Sequence, residues 1–210
     1  MQSITIVLGI IAALLHGAAY LLYAIQTKVG RSSPKSASWG LWEFLVVINW
    51  LTFGVAFGNW IIALQFLSGS VACTIVFFYM LAIKKFDWPT KKHWSLIGLG
   101  LIAILVWWMF RNAAWANVII FVALTISFIP MYESLYDDPT QERPLPWVIW
   151  TLAFLTTTVN VIVNWKHQPL GLVMPIGGAI LHGAVAYLSC QRWRNQYQAR
   201  LIAANIPEHL

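Results

Sequence analysis

The sequence predicts an all-α integral membrane protein with seven transmembrane helices. Hydrophobic residues make up 60% of the 210 residues, and charged residues only 10%, whereas a soluble domain carries about 25% charged residues. A chain of this length cannot bury so much apolar surface in one core, so lipid must cover much of its exterior. The apolar residues also fall into seven runs, each near the ~20 residues that cross a bilayer.

The seven runs are separated by polar loops, several of which contain proline. The runs cover residues 3–26, 38–57, 59–83, 94–110, 113–135, 147–164 and 170–191. The first run is too long for the core of a signal peptide and has no basic segment before it, so we expect a retained helix. Cys73 and Cys190 lie inside apolar runs and are predicted to be small buried residues, not a disulfide.

A tryptophan pattern occurs twice. Trp39 and Trp42 open the second run, and Trp147 and Trp150, 108 residues later, open the sixth, each time behind a polar loop. This match pairs the second run with the sixth, the first with the fifth and the third with the seventh. The fourth run has no counterpart. Because one helix separates the triplets, both enter the membrane in the same direction, as parallel repeats.

The predicted organisation therefore has four parts. These are a first three-helix bundle over 1–83, a loop and linker helix over 84–112, a second three-helix bundle over 113–191 and a basic tail over 192–210.

The arrangement resembles the SWEET sugar transporters and the wider PQ-loop group. It is most similar to uncharacterised bacterial PQ-loop-like membrane proteins, which carry a Pro-x-x-x-x-Trp-x-x-Trp opening, here Pro34, Trp39 and Trp42. They also carry an Asp-Pro-x-x-Glu stretch before the sixth helix, here Asp138 to Glu142. The resemblance implies the fold, a bacterial inner-membrane location and transport, and it does not extend to a substrate.

One feature of the wider group has no counterpart here. The Pro-Gln pair that names the group is missing, because the first run ends at Gln26 without a proline and Pro130 is followed by Met131.

Two histidines are the most distinctive polar residues of the apolar runs. His16 and His182 both lie in the tetrapeptide Leu-His-Gly-Ala. Each is predicted roughly 18–20 Å below the outer end of its helix, at 1.5 Å per residue. Because polar groups in hydrocarbon usually face the bundle interior, the pair is a candidate site that binds a solute or a proton. The alternative is that each histidine satisfies a carbonyl or hydroxyl group at a helix contact.

The ends of the second and sixth runs supply further candidates. Glu43 is predicted either to carry a cation or proton at an inner gate or to complement the helix dipole at the interface. Trp39 and Trp147 are predicted to anchor the chain at the membrane interface. Trp42 and Trp150, one turn deeper, are predicted to face inward.

Four amide residues lie inside the runs, away from their ends: Asn49, Gln65, Asn117 and Asn160. Asn49 and Asn160 are expected near the midplane of paired helices, where they are candidates to line a solute site. The alternative for each is a hydrogen bond between helices.

Transport of a small polar solute, such as a sugar or other metabolite, is the leading functional hypothesis, by alternating access between the two bundles. An enzyme is disfavoured because no nucleophile, metal-ligand or cofactor motif occurs. The alternative is a receptor or a structural subunit that binds a membrane partner or a second copy of the chain. The cations lie in short loops and form no soluble basic domain, which argues against nucleic acid.

The cations also predict the orientation in the bilayer. Eleven of the 13 lie on one side: Lys28, Arg31, Lys35, Lys84, Lys85, Lys91, Lys92, Arg143, Arg192, Arg194 and Arg200. Only Arg111 and Lys166 lie on the other. Because positive loops stay in the cytoplasm, the N-terminus is expected outside and the C-terminus in the cytoplasm.

A C-terminal fusion tests this orientation. A reporter that works only in the cytoplasm should be active there, and one that works only after export should be inactive. The opposite pair of results contradicts the predicted topology.

Overall fold

The computed structural model describes residues 2–30, 32, 36–82, 91–110, 112–137, 142–165, 167 and 169–204. Seven α-helices account for most of them. They are α1 (Gln2–Lys28), α2 (Ser36–Phe57), α3 (Leu64–Ala82), α4 (Lys91–Phe110), α5 (Ala113–Asp137), α6 (Pro144–Val163) and α7 (Val173–Ala204). A short 3-10 helix, Pro169–Leu172, precedes α7.

Six of the helices form a closed ring. In the order of contact, α1 packs on α3, α3 on α2, α2 on α5, α5 on α7, α7 on α6 and α6 on α1. The fourth helix lies outside the ring against α2 and α5. Helices that follow each other in sequence are therefore not always neighbours in space: within the described residues, the backbone of α1 does not pack against that of α2, nor that of α5 against that of α6.

The outer surface of the helices suits lipid. Four helical segments are long and apolar enough to cross a membrane: Gln2–Lys28, Ala113–Tyr136, Pro144–Val163 and Pro169–Gln191. The described apolar stretches of α2, α3 and α4 are shorter, and their crossing remains a prediction. Leu14 is 67% exposed whereas Gln65 is fully buried. This inversion of the soluble pattern is consistent with a membrane protein.

The predicted start of the third run was wrong. The third run was expected to be helical from residue 59, but α3 begins at Leu64. The turn before it contains Gly58, at φ +58, and the Asn59 side chain, which accepts a hydrogen bond from the Ile61 N–H at 3.0 Å. Such an Asx turn competes with helix. Helix α6 begins at Pro144, three residues early, because proline suits the first turn.

The end of α7 also differs from expectation. The tail after Arg192 continues α7 as far as Ala204. Cys73 is buried as predicted, but Cys190 is exposed, because this part of α7 turns the cysteine away from the neighbouring helices. Pro34, Asp138 and Pro139, which carry part of the family resemblance, lie outside the described residues, as does the side chain of Trp39.

Close packing at glycine provides a test of the ring. A Cβ atom at Gly178 of α7 would lie 2.3 Å from Cε1 of Phe154 on α6. We expect Gly178→Ala to lower the free energy of unfolding by about 1–3 kcal/mol, the usual cost of overpacking. The matched control is Gly98→Ala on α4, where a Cβ atom meets nothing within 4 Å. Thermal unfolding in detergent measures both, and equal midpoints would contradict this packing.

Candidate functional site

A cavity lies inside the ring of six helices. Its volume is about 60 Å³, which is room for a few water molecules and much less than the ~300 Å³ of a typical ligand pocket. All six ring helices contribute, and α4 contributes none of the described lining residues. The wall is mainly aromatic. Its polar members are His16, Tyr20, Trp42, Asn49, Trp147, Trp150 and His182.

His16 joins three helices on one side of this cavity. The amide nitrogen of Gln65 lies 2.9 Å from Nδ1 of His16. Thr157 on α6 donates in turn to the carbonyl oxygen of Gln65. Because the amide nitrogen can only donate, Nδ1 is the acceptor and the ring hydrogen lies on Nε2. Nε2 faces Gly69 of α3, where even a Cβ atom would come within 2.9 Å.

His182 adopts the opposite tautomer. Its Nδ1 lies 2.8 Å from the carbonyl oxygen of Gly178. A carbonyl can only accept, so Nδ1 carries the hydrogen and Nε2 of the neutral ring is an acceptor. The two histidines therefore differ in role, one offering an N–H and the other a lone pair.

Trp150 lies between the histidines. Its ring centroid is 6.4 Å from His16 and 5.6 Å from His182, and Phe154 also contacts both rings. Trp150 is only 3% exposed, yet its indole nitrogen has no hydrogen-bond partner among the described residues. A buried N–H without a partner costs about 1–3 kcal/mol. Trp150 thus lines the cavity and carries a donor that no described residue satisfies.

Hydrogen bonds join α2 to α5 at two levels. The amide of Asn117 donates to Oδ1 of Asn49 at 2.6 Å and lies 3.4 Å from the hydroxyl of Thr52. Nearer the start of α2, the indole N–H of Trp42 donates to the Ser127 hydroxyl at 2.9 Å. Trp42 and Asn49, one at each level, both line the cavity.

Helices α1 and α6 are joined near the start of α1. Asn160 donates to the backbone oxygen of Thr5 at 3.1 Å, and the Thr5 hydroxyl donates to Asn164 at 2.9 Å. Asn164 also bonds the side chain of Asn160 at 3.0 Å. The Asn160 side chain therefore bonds α1 through its nitrogen and Asn164 of its own helix end through its oxygen, and it is not among the described residues that line the cavity.

The other end of α1 is joined to α6 through a buried carboxylate. Tyr23 donates to Oε1 of Glu142 at 2.9 Å, and the Trp147 indole donates to Oε2 at 3.1 Å. Burial raises the pKa of Glu142 to about 7, and the bonds from Trp147 and Tyr23 oppose this rise. The prediction of Trp147 as an interfacial anchor is wrong: it is 1% exposed, because its N–H is needed by Glu142.

Glu43 lies away from the cavity wall. Its Oε1 accepts a hydrogen bond from Thr74 of α3 at 2.5 Å. It therefore joins α2 to α3, and none of the described cavity-lining residues is acidic.

The structure brings five of the predicted site residues together at the cavity: His16, Trp42, Asn49, Trp150 and His182. Gln65 supports His16 from behind, while Glu43 and Asn160 are held elsewhere. Sequence analysis missed Tyr20, Phe128 and Trp147 on the wall. Their aromatic character gave no signal, because aromatic residues are common in every apolar run.

The fold and composition define the class: an all-helical protein with several helices apolar enough to cross a membrane. No protein-family model, curated protein or solved structure matches this chain.

The Gln65 network predicts a large effect of one substitution. Gln65→Leu keeps a side chain of similar size but removes both hydrogen bonds. Nδ1 of His16 and the Thr157 hydroxyl then lose these partners while they remain buried. We expect a loss of about 1–3 kcal/mol in the free energy of unfolding. The control is Gln191→Leu, at an exposed position of α7, which should be nearly neutral. Equal thermal midpoints for the two variants would show that the network contributes nothing.

Proposed function

We propose that this protein carries a small, uncharged polar solute across the membrane by alternating access between two three-helix bundles. The observation that carries the proposal is the cavity at the centre of the ring, which takes residues from all six helices.

The order of contacts supports two equivalent bundles. Exchanging α1 with α5, α2 with α6 and α3 with α7 leaves the list of ring contacts unchanged. In each triplet the third helix lies between the first two. The two triplets meet mainly at two interfaces, α1 with α6 and α2 with α5. The exchange converts one of these interfaces into the other. Such repeats around a shared central site are common in transporters.

The bonds between the triplets are of a reversible kind. Asn49 with Asn117 and Asn160 with Thr5 are neutral pairs, and such bonds contribute only about 0.5–1.5 kcal/mol each. Bonds lie towards both ends of each interface, with the cavity between them. Rocking one triplet on the other would break the bonds at one end while keeping those at the other.

The chemistry of the wall favours a neutral solute. The described lining residues include no Asp, Glu, Lys or Arg, and an unpaired charge in such a site would be strongly disfavoured. The indole N–H of Trp150 offers a donor, Nε2 of His182 an acceptor and the aromatic rings a stacking surface. The small volume indicates a closed state, so admission of a solute requires the triplets to separate.

Uptake by reconstituted protein tests this function. Proteoliposomes are assayed with radiolabelled sugars, nucleosides and neutral amino acids. We expect uptake above that of empty vesicles for one class. No flux for any class, together with a partner that co-purifies tightly, would overturn transport in favour of a structural subunit.

Trp150→Phe provides a site-specific version of this assay. The substitution keeps an aromatic ring but removes the donor, and loss of one hydrogen bond should reduce the apparent affinity by up to about tenfold. The control is Trp108→Phe on α4, 66% exposed and outside the ring. Equal loss in both variants would show that Trp150 does not contact the solute.

A further inference from the structure

Glu142 is a deeply buried carboxyl group that joins two helices of different bundles. It is 3% exposed and lies just before α6. Its two oxygens accept hydrogen bonds from Tyr23 near the end of α1 and from Trp147 in the first turns of α6. Separation of the two helices here must break at least one of these bonds.

The two donors respond differently to protonation. The Trp147 indole can only donate, so its bond to Oε2 requires that oxygen to remain an acceptor. A proton therefore adds to Oε1, which faces Tyr23. The Tyr23 hydroxyl can rotate and accept from the new O–H. The bridge between the helices thus survives protonation, with only the direction of the Tyr23 bond reversed.

Trp147 connects this group to the solute cavity. Its ring lines the cavity and lies 5.0 Å from Trp150 and 5.6 Å from His182, centroid to centroid. A carboxyl group that positions this ring also sets the shape of the cavity wall.

We propose that Glu142 is a proton-binding site that holds α1 against α6, and that separation of these helices hydrates the carboxyl group and releases its proton to water. Closure at this end takes the proton up again. The proton site stands on the Tyr23–Glu142–Trp147 geometry. Its coupling to solute movement rests on the proposed function.

Among the described residues, few titratable or charged groups surround Glu142. Tyr23 faces it from α1, Trp147 from α6 and Ser32 from the loop after α1, and Arg143 follows it in the chain. Across the Trp147 ring lies His182 of α7. The pH dependence of this end is therefore assigned to the carboxyl group, with His182 as the neighbour that a control must separate.

The sign of the pH effect follows from burial. The pKa is raised from 4.5 to about 7 in the folded protein. Between these two pH values the folded state binds more protons than the unfolded state. The contribution of Glu142 to the free energy of unfolding is therefore fully present below pH 4.5 and is lost as the pH rises through 7.

Thermal unfolding between pH 4.5 and 8 tests the proton site without any solute. The wild-type midpoint should fall, relative to that of Glu142→Gln, which resembles the protonated group, by roughly 5–10 °C over this range. The exposed control Glu133→Gln should follow the wild type. The same difference should appear when both proteins also carry His182→Asn, because the comparison then contains no contribution from that imidazole. Identical pH profiles for wild type and Glu142→Gln would overturn the proposal.

Tyr23→Phe gives a second test that retains the carboxyl group. Removing a donor to the ionised form should move the midpoint of the pH profile upward. An unchanged midpoint would overturn the proposal even if Glu142→Gln fails to fold.

Uptake measurements then separate the proton site from transport. If a solute is carried, its pH profile should flatten in Glu142→Gln, and an unchanged profile would overturn the coupling. If no solute is carried while the unfolding results hold, the proposed function fails and the proton site remains.

Discussion

The helix ring depends on the pairing of polar side chains that lipid cannot satisfy. An amide buried in hydrocarbon must find a partner on another helix or lose its hydrogen bonds. Asn117 finds Asn49, and Asn160 finds the backbone of Thr5. Because the apolar surfaces of all seven helices are chemically alike, hydrophobic contact alone does not select which helices meet. These directional bonds supply that selection, and they fall largely where α1 meets α6 and where α2 meets α5.

The cavity follows from the same constraint. Gln65 and Thr157 hold the His16 ring, and the Gly178 carbonyl holds the His182 ring, so the two imidazoles present different groups. Trp150 lies between them with an unsatisfied N–H. A wall assembled from neutral donors and acceptors among aromatic rings can hold a polar molecule without carrying a charge into the membrane.

Much of the architecture was predictable because hydropathy is a property of single segments. The seven helices, the paired Trp39–Trp42 and Trp147–Trp150 patterns, and the interior positions of His16 and Asn49 all follow from residue type and spacing. The errors arose where a side chain met a partner distant in sequence. The position of Trp147 predicts an interfacial anchor, but its N–H donates to the buried Glu142. The position of Asn160 predicts a cavity residue, but its side chain donates to the backbone of Thr5.

The sequence by itself determined an all-helical chain suited to lipid, with a tryptophan pattern that occurs twice and polar residues inside the apolar runs. Only the tertiary structure decided which of these residues share the cavity and which tautomer each histidine adopts. It also revealed that Glu142, in a loop, is buried against Tyr23 of a helix 119 residues away in sequence. The physical reason is that helix periodicity places a side chain on a face, whereas hydrogen-bond partners and burial depend on which other helix that face meets.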